Sequence, residues 1–235
     1  EDKNNKYNYN SILDIIGPEM IGPSSSHTAG AVRLGLAARS ILNAKLESVQ
    51  IELYNSFAET GFGHGTHKAL LAGLLGLQKS DERIKIADKL AAEANIDYSI
   101  RRVLRPNNYL PNTAVFKMHS GKLNIEVVGA SIGGGLIIIN EIDGFEVDIS
   151  GNYETLIVTH KDKLGILSKV LYLISLQKLN IVSINSARRN NLDDIKTIIA
   201  FDSPILPEIA GILKNSSIGR YIVRARIIHK IQEVW

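Results

Sequence analysis

Two loops of the sequence concentrate hydroxyl and imidazole groups directly before helix-like segments. The first reads IGPSSSHTAGAVRLG and runs from Ile21 to Gly35. One hydroxyl is enough to cap a helix start, where backbone N–H groups are free. The surplus favours a bound carboxylate or phosphate, and a capped helix with solvated serines is the alternative. The candidate residues of this loop are Ser24, Ser25, Ser26, His27 and Thr28.

The second loop reads SFAETGFGHGTHKALLAGLLG and lies between a strand-like and a helix-like segment. Its glycines, Gly61, Gly63 and Gly65, allow the backbone to turn sharply and to approach a ligand. His64 stands between two of them, and imidazole titrates near neutral pH. Proton transfer is therefore possible, although a turn histidine in water is an equal alternative. Thr66 is expected to cap the following helix.

Two further loops have similar composition. LPNTAVF puts Asn112 and Thr113 before a strand-like run, and GASIGGGLIIIN puts Ser131, Gly133 and Gly134 before another. Glycines beside a strand mark either a β-bulge or the close approach of a ligand. If the fold brings all four loops together, they form a cleft that suits a small zwitterion or anion.

Several other chemistries are disfavoured by the motifs. The glycines around His64 lack the third glycine of a dinucleotide-binding fingerprint and the Gly-Lys-Ser/Thr of a P-loop. His64 and His67 have no evident third partner, so we expect no metal site in this chain. A Ser–His hydrolase is also disfavoured, because no Gly-x-Ser-x-Gly elbow occurs.

Composition narrows the class of protein further. The 235 residues are 45% hydrophobic and 22% charged, with 27 basic and 24 acidic residues and no cysteine. The chain therefore cannot form disulfides or supply thiolate ligands. Its small excess of scattered positive charge argues against nucleic acid as a partner. No apolar run reaches the ~20 residues of a membrane span, so we expect a cytoplasmic protein without membrane contact.

The sequence predicts an α+β protein in two domains. Residues 1–10 are expected to form a flexible leader, residues 11–150 the loop-bearing domain and residues 153–235 a second domain. The second domain reads as strand, helix, strand, strand, helix, strand, which is a ferredoxin-like split βαβ sandwich.

The stretch HKDKLGILSKVLYLISLQKLNIVSINSAR resembles an ACT domain, a small regulatory module that commonly binds amino acids. Asp162 and Gly165 match the usual first loop of that family, and Leu164 stands where proline is usual. The resemblance implies an effector site at Asp162, Gly165, Asn180 and Ile181. The alternative is that these residues only build turns and that the domain serves in assembly.

The four loops together, followed by the ACT-like segment, are similar to the beta chain of the iron–sulfur L-serine dehydratases. This resemblance implies an allosteric-substrate-binding-type first domain and a reaction that converts L-serine to pyruvate and ammonia. It also implies a [4Fe-4S] cluster held by cysteines of a partner alpha chain, and homodimerisation through either domain. Some D-3-phosphoglycerate dehydrogenases have a similar first domain, but they also carry a Rossmann domain. His67 departs from the family pattern, in which aspartate is usual.

The resemblance implies roles for the loop residues as well. The hydroxyls of the first loop would hold the substrate carboxylate or line the edge of the site. His64 is the first candidate for acid/base chemistry, and His27 is the second. Two alternatives stay open at this point. The loops could contact a regulatory rather than a catalytic serine, or the chain could be a purely regulatory and assembly module.

Overall fold

The computed structural model describes residues 22, 24–105, 107–188 and 193–231, and these form a mixed α and β structure with two sheets. The predicted leader lies outside these residues. The strands are β1 Ser48–Tyr54, β2 Asp97–Val103, β3 Thr113–Ser120, β4 Leu123–Gly133, β5 Leu136–Ile142, β6 Phe145–Ile149, β7 Glu154–Lys161, β8 Ile181–Arg188, β9 Asp194–Phe201 and β10 Ile222–Ile228. The α-helices are α1 Gly30–Leu42, α2 Ser56–Thr60, α3 Thr66–Leu74, α4 Ala87–Glu93, α5 Ile166–Ser175 and α6 Ile209–Asn215.

The first sheet has six strands in the order β2-β1-β3-β4-β5-β6, and only the β1–β2 pair is parallel. One cross-strand row, Ile51, Phe116, Val127 and Ile142, is buried in the same hydrophobic core as α1 and α3. Glu52, on the opposite face, is buried as well and bonds Lys117 at 2.8 Å. Alternation along the strands therefore assigns one face of the sheet to the helices.

Helices α1 and α3 cross at a contact between two glycines. A Cβ added at Gly35 would lie 2.3 Å from the carbonyl oxygen of Leu70, and one added at Gly73 would lie 2.1 Å from that of Val32. No side chain fits in that space, so Gly35 and Gly73 permit the close packing of the two helices. This packing holds α1 and α3 in close contact.

The second sheet is antiparallel in the order β10-β7-β9-β8. Helices α5 and α6 pack on one of its faces, around Leu156, Val170, Ile199 and Leu213. The predicted order of strands and helices over this half of the chain is confirmed.

The other face of the second sheet packs against the first half of the chain. Ile157, Ile198 and Ile228 belong to the same core as α1. The buried Lys196 on β9 donates to the carbonyl oxygen of Ile142 at 3.0 Å and lies 3.1 Å from a carboxylate oxygen of Asp143. The two halves therefore share apolar and polar contacts. Within the described residues, no helix is both long enough and apolar enough to cross a membrane.

Candidate active site

The serine-rich loop forms a turn of π-helix, Ser25–Ala29, that leads directly into α1. Ser24 caps this turn: its hydroxyl accepts from the N–H of His27 at 3.3 Å, and its carbonyl accepts from the N–H of Thr28 at 2.9 Å. π-Helical turns are rare and frequently occur at functional sites. The wide turn packs His27 and Thr28 inward and leaves Ser24, Ser25 and Ser26 half-buried.

His27 is nearly buried and has polar contacts at both ring nitrogens. Its Nδ1 atom lies 3.1 Å from the hydroxyl of Ser26, and its Nε2 atom lies 3.0 Å from the hydroxyl of Thr60. The edge of its ring meets Phe57, with centroids 5.3 Å apart. These contacts join the first loop to the second.

The second loop contains a short helix, α2, that the sequence pattern did not predict. Thr60 ends this helix, and its carbonyl oxygen lies 3.0 Å from Nδ1 of His64. The exposed ring of His64 lies beside that of His27, with centroids 4.9 Å apart and planes tilted by 48°. The structure thus brings both candidate acid/base residues together.

The glycines of this loop differ in their surroundings. Gly65 has a positive φ of 72° and directly precedes α3, whereas Gly63 is exposed. Thr66 does not cap α3, contrary to the prediction, because Gly65 occupies the capping position and Thr66 is already the first helical residue. Its side chain is fully buried and its hydroxyl has no hydrogen-bond partner.

The third and fourth loops lie on neighbouring strands. The backbone carbonyl of Asn112 accepts from the backbone N–H of Ser131 at 3.1 Å. The side-chain amide of Asn112 donates to the backbone carbonyl of Ser131 at 3.3 Å. Thr113 begins β3 and is paired with Ala130. A Cβ added at Gly30 would lie 2.0 Å from the Ser131 hydroxyl oxygen, so the fourth loop touches the start of α1.

Gly133 and Gly134 form the end of β4 and the turn into β5. Both have positive φ, as does Gly135, and the register of the β4–β5 pair shifts between Ser131 and Gly133. The register shift is a β-bulge or a similar irregularity, and it leaves the ligand-approach interpretation of these glycines open. The buried Arg33 of α1 donates to the carbonyl oxygen of Gly135 at 2.8 Å and to the side-chain oxygen of Asn152 at 3.0 Å. This residue, which the sequence analysis missed, ties the glycine turn to α1.

Buried polar atoms without a protein partner are concentrated in these loops. Burying such an atom costs free energy, and each unpaired atom in a folded protein calls for an explanation. Four of the predicted substrate-binding residues contribute one each: Thr28 Oγ1, Thr66 Oγ1, Asn112 Oδ1 and Ser131 Oγ. Three hydroxyls that can donate and one amide oxygen that can accept are the groups a small zwitterion requires.

The local electrostatics keep His27 neutral near pH 7. Burial lowers the pKa of its imidazole, the neighbouring His64 lowers it further, and the backbone carbonyl of Ser56 acts weakly in the opposite direction. Burial also lowers the pKa of His67, with a contribution from Lys68. The ring of His67 stacks on Phe62 with centroids 4.6 Å apart. Within the described residues, no three His, Asp or Glu side chains are placed to hold a metal ion.

The four predicted effector residues of the second half do not form one cluster within the chain. Asp162 pairs with Arg188, and with Gly165 it lines a groove of about 400 Å³ that His160 and Ser186 also border. Asn180 donates to Asp202 at 2.6 Å, and Ile181 is paired with Phe201. In the antiparallel β8–β9 pair, this is the end opposite to Arg188.

Thr60 is a second residue that the sequence analysis missed. It stands within the quoted segment SFAETGFGHGTH, but nothing in the pattern indicated that its hydroxyl would reach the ring of His27. The contact depends on how α2 packs beside the π-helical turn, which is a tertiary property.

Comparison with known proteins identifies the family of the chain. Residues 11–142 match the serine dehydratase beta chain family. The probable L-serine dehydratase beta chain of Bacillus subtilis is 44% identical over 182 residues, which cover 77% of this chain and 82% of that one. The L-serine dehydratase beta chain of Peptoniphilus asaccharolyticus is 37% identical over 212 residues, covering 89% and 93%. The L-serine dehydratase of Streptomyces coelicolor is 44% identical over 77 residues, but these cover only 17% of that protein. The chain therefore belongs to the family of serine dehydratase beta chains.

Proposed function

We propose that this chain is the beta subunit of a two-chain iron–sulfur L-serine dehydratase, which converts L-serine to pyruvate and ammonia together with an alpha chain. The family membership supports the subunit type and the reaction class. The observation that carries a role in substrate binding is the convergence of the four loops, whose buried Thr28, Thr66, Asn112 and Ser131 atoms lack protein partners.

The residues of this chain would bind and orient the substrate. A carboxylate suits the hydroxyls of the π-helical turn and the free N–H groups of a helix start. Asn112 Oδ1 is an acceptor for the ammonium group of serine. Gly133 and Gly134 would let the backbone approach the ligand closely, as would Gly63 and Gly65.

Loss of water from serine requires a base for the α-proton and a proton for the departing hydroxyl. His64 is the first candidate for such a transfer, because its ring is exposed beside the loops. His27 is the second, and its lowered pKa favours the neutral imidazole. The pair offers two titratable groups within one site.

The residues present do not fit an iron–sulfur cluster. The chain has no cysteine, and its described residues hold no group of three metal-ligating side chains. Any cluster must therefore have its ligands on the alpha chain, and the part of this chain is binding, orientation and proton transfer.

We propose in addition that residues 153–235 form an ACT domain with a regulatory role, following a loop-bearing domain of residues 11–150. The order of its elements and its strand order β10-β7-β9-β8 support a ferredoxin-like fold. The groove at Asp162 and Gly165 is where an amino acid would bind, with Asn180 and Ile181 supplied from a second copy in a homodimer. The exposed Val182 and Ile184 on the edge strand β8 support pairing of two copies there.

The experiment that tests the catalytic assignment uses the complex with the alpha chain. His64→Ala should lower kcat by about 10²–10⁴-fold with the complex intact. His119→Ala is the matched control, since His119 is a partly exposed histidine of β3 that bonds Asn124 at 2.8 Å. Unchanged turnover in His64→Ala would remove His64 from the chemistry and leave a regulatory and assembly role.

A second experiment asks whether this chain holds a complete serine site. The full chain is titrated with L-serine by calorimetry, with Asp162→Asn as a companion variant. Saturable heat that survives Asp162→Asn supports a site in the loops, and heat lost in that variant supports the groove of the second domain. Absence of heat would mean either that the loop site is completed only by the alpha chain or that this chain has no serine site.

A further inference from the structure

Thr60 has a hydrogen-bond contact with the ring of His27 and another with the ring of His64. Its hydroxyl oxygen lies 3.0 Å from Nε2 of His27, and its backbone carbonyl oxygen lies 3.0 Å from Nδ1 of His64. The same hydroxyl donates to the carbonyl oxygen of Ser56 at 3.0 Å, one turn earlier in α2. The carbonyl of Thr60 also accepts from the backbone N–H of His64 at 3.2 Å, so Thr60 contacts His64 through both the backbone and the ring of that residue.

These contacts determine where the ring protons of a neutral pair reside. The hydroxyl proton of Thr60 is committed to Ser56, so its oxygen can only accept from His27, and Nε2 of His27 must carry the proton. A carbonyl oxygen can only accept, so Nδ1 of His64 must carry the proton there.

The remaining nitrogens then have opposite surroundings. Nδ1 of His27 is an acceptor for the hydroxyl of Ser26 at 3.1 Å, inside the loop. Nε2 of His64 carries a lone pair and, within the described part of the chain, has no protein hydrogen-bond partner. One nitrogen of the pair is thus engaged and the other is open.

We propose that Thr60 is a positioning residue, which holds His27 and His64 in opposite tautomers and leaves Nε2 of His64 as the atom that exchanges a proton with the substrate. The proposal rests on the proposed function, because it assumes that the histidine pair takes part in the reaction. The proposal adds two points to the proposed function: the atom that exchanges the proton, Nε2 of His64, and the residue that determines its protonation state, Thr60. The hydroxyl acts through His27, and the backbone carbonyl acts through His64.

The activity test compares Thr60→Val with Thr60→Ser in the complex with the alpha chain. Valine keeps the shape and the carbonyl but removes the hydroxyl, so Nε2 of His27 loses the acceptor that lies 3.0 Å from it. We expect kcat to fall about tenfold to a hundredfold with KM little changed, as for a loss of orientation. Serine retains the hydroxyl and should restore kcat to within about threefold.

The spectroscopic test needs no activity. In the full chain labelled with ¹⁵N in the imidazole rings, we expect His27 protonated at Nε2 and His64 at Nδ1, with assignments from single-histidine substitutions. Thr60→Val should change the tautomer of His27 and leave that of His64, because the carbonyl remains. This readout responds to proton position and not to stability.

The outcomes separate this proposal from the function on which it rests. If His64→Ala abolishes turnover but Thr60→Val has wild-type kcat, the role of Thr60 is wrong and the catalytic assignment stands. If His64→Ala is fully active, the assignment itself fails. If Thr60→Val does not fold, the wild-type spectrum still decides: a proton at Nδ1 of His27, or at Nε2 of His64, overturns the proposal.

Discussion

His27 and His64 lie with ring centroids 4.9 Å apart, the first nearly buried and the second exposed. The contact joins two loops that precede different helices, α1 and α3. Because those helices are in close contact at Gly35 and Gly73, we expect the distance between the two rings to depend on helix packing as well as on the loops. This dependence connects the core of the protein to its candidate site.

Substitution at the helix crossing should therefore destabilise the fold. Gly73→Ala places a Cβ 2.1 Å from the carbonyl oxygen of Val32, so we expect a loss of about 1–3 kcal/mol in the free energy of unfolding. Gly211→Ala is the matched control, since a Cβ added there in α6 meets nothing within 4 Å. It should be stabilising by about 0.5–1 kcal/mol. Equal stability of the two variants in urea denaturation would contradict the tight crossing.

The unpartnered hydroxyl of Thr66 predicts an effect on binding without a loss of stability. Thr66→Val removes a buried hydroxyl that has no protein partner, so the free energy of unfolding should be unchanged or larger by about 1 kcal/mol. If that hydroxyl holds substrate, KM for L-serine in the complex should rise about tenfold.

The control for this variant is a second fully buried threonine. Thr197 has its hydroxyl 3.1 Å from Nε2 of His160 and 2.9 Å from the hydroxyl of Ser186. Thr197→Val should lower stability by about 1–3 kcal/mol and leave KM unchanged. A wild-type KM in Thr66→Val would show that Thr66 does not bind the substrate.

The ionised carboxylate of Glu52 should make the stability of the fold sensitive to acid. Burial opposes its ionisation, but hydrogen bonds from Lys117, Arg101 and Tyr54 outweigh burial and lower the pKa of Glu52 from 4.5 to about 2. The carboxylate therefore stabilises the fold above pH 4.5, and this contribution is lost as the pH falls towards 2.

The measurement is the difference in unfolding free energy between wild type and Glu52→Gln. We expect about 2 kcal/mol at neutral pH and a progressively smaller difference in acid. Glu126→Gln is the control, because its carboxylate is partly exposed and lies 3.8 Å from the same lysine. A difference that does not vary with pH would mean that the ionised form of Glu52 is not favoured by folding.

His27 predicts a second pH dependence, nearer neutrality. Its folded pKa is lowered from 6.5, chiefly by burial, so the unfolded chain binds a proton more readily at this residue. The stability contributed by the neutral ring is present above pH 6.5 and is lost as the pH falls. Wild type should lose more stability than His27→Gln between about pH 7.5 and pH 5.5 in urea denaturation. His67 has a pKa lowered in the same way, and its effect cancels because both proteins contain it. Equal losses of stability in wild type and His27→Gln would contradict a buried, neutral His27.

Sequence patterns predicted the strands and α-helices of the second half, whereas β2, β4, β6 and α4 of the first half were not predicted. The helical period of α5 and the β-branched, apolar composition of β7 are local properties, so the βαββαβ order of the second half followed from the residues alone. The short helix α2 was missed, because five residues between a strand and a glycine loop show no helical period. The capping role assigned to Thr66 was wrong. The helix begins at Thr66 itself and Gly65 occupies the capping position, so the helix starts one residue earlier than the pattern indicated.

The sequence by itself determined which groups are available: the hydroxyls and imidazoles of the loops, and no cysteine to hold a cluster. Only the tertiary structure decided which of them meet, because contacts such as Thr60 with His27 join segments that are distant along the chain. It also separated residues that the resemblance had grouped, since Asp162 and Asn180 lie at opposite ends of one strand pair. The physical reason is that composition and period are set by neighbours in sequence, whereas the geometry of a site is set by how helices and sheets pack.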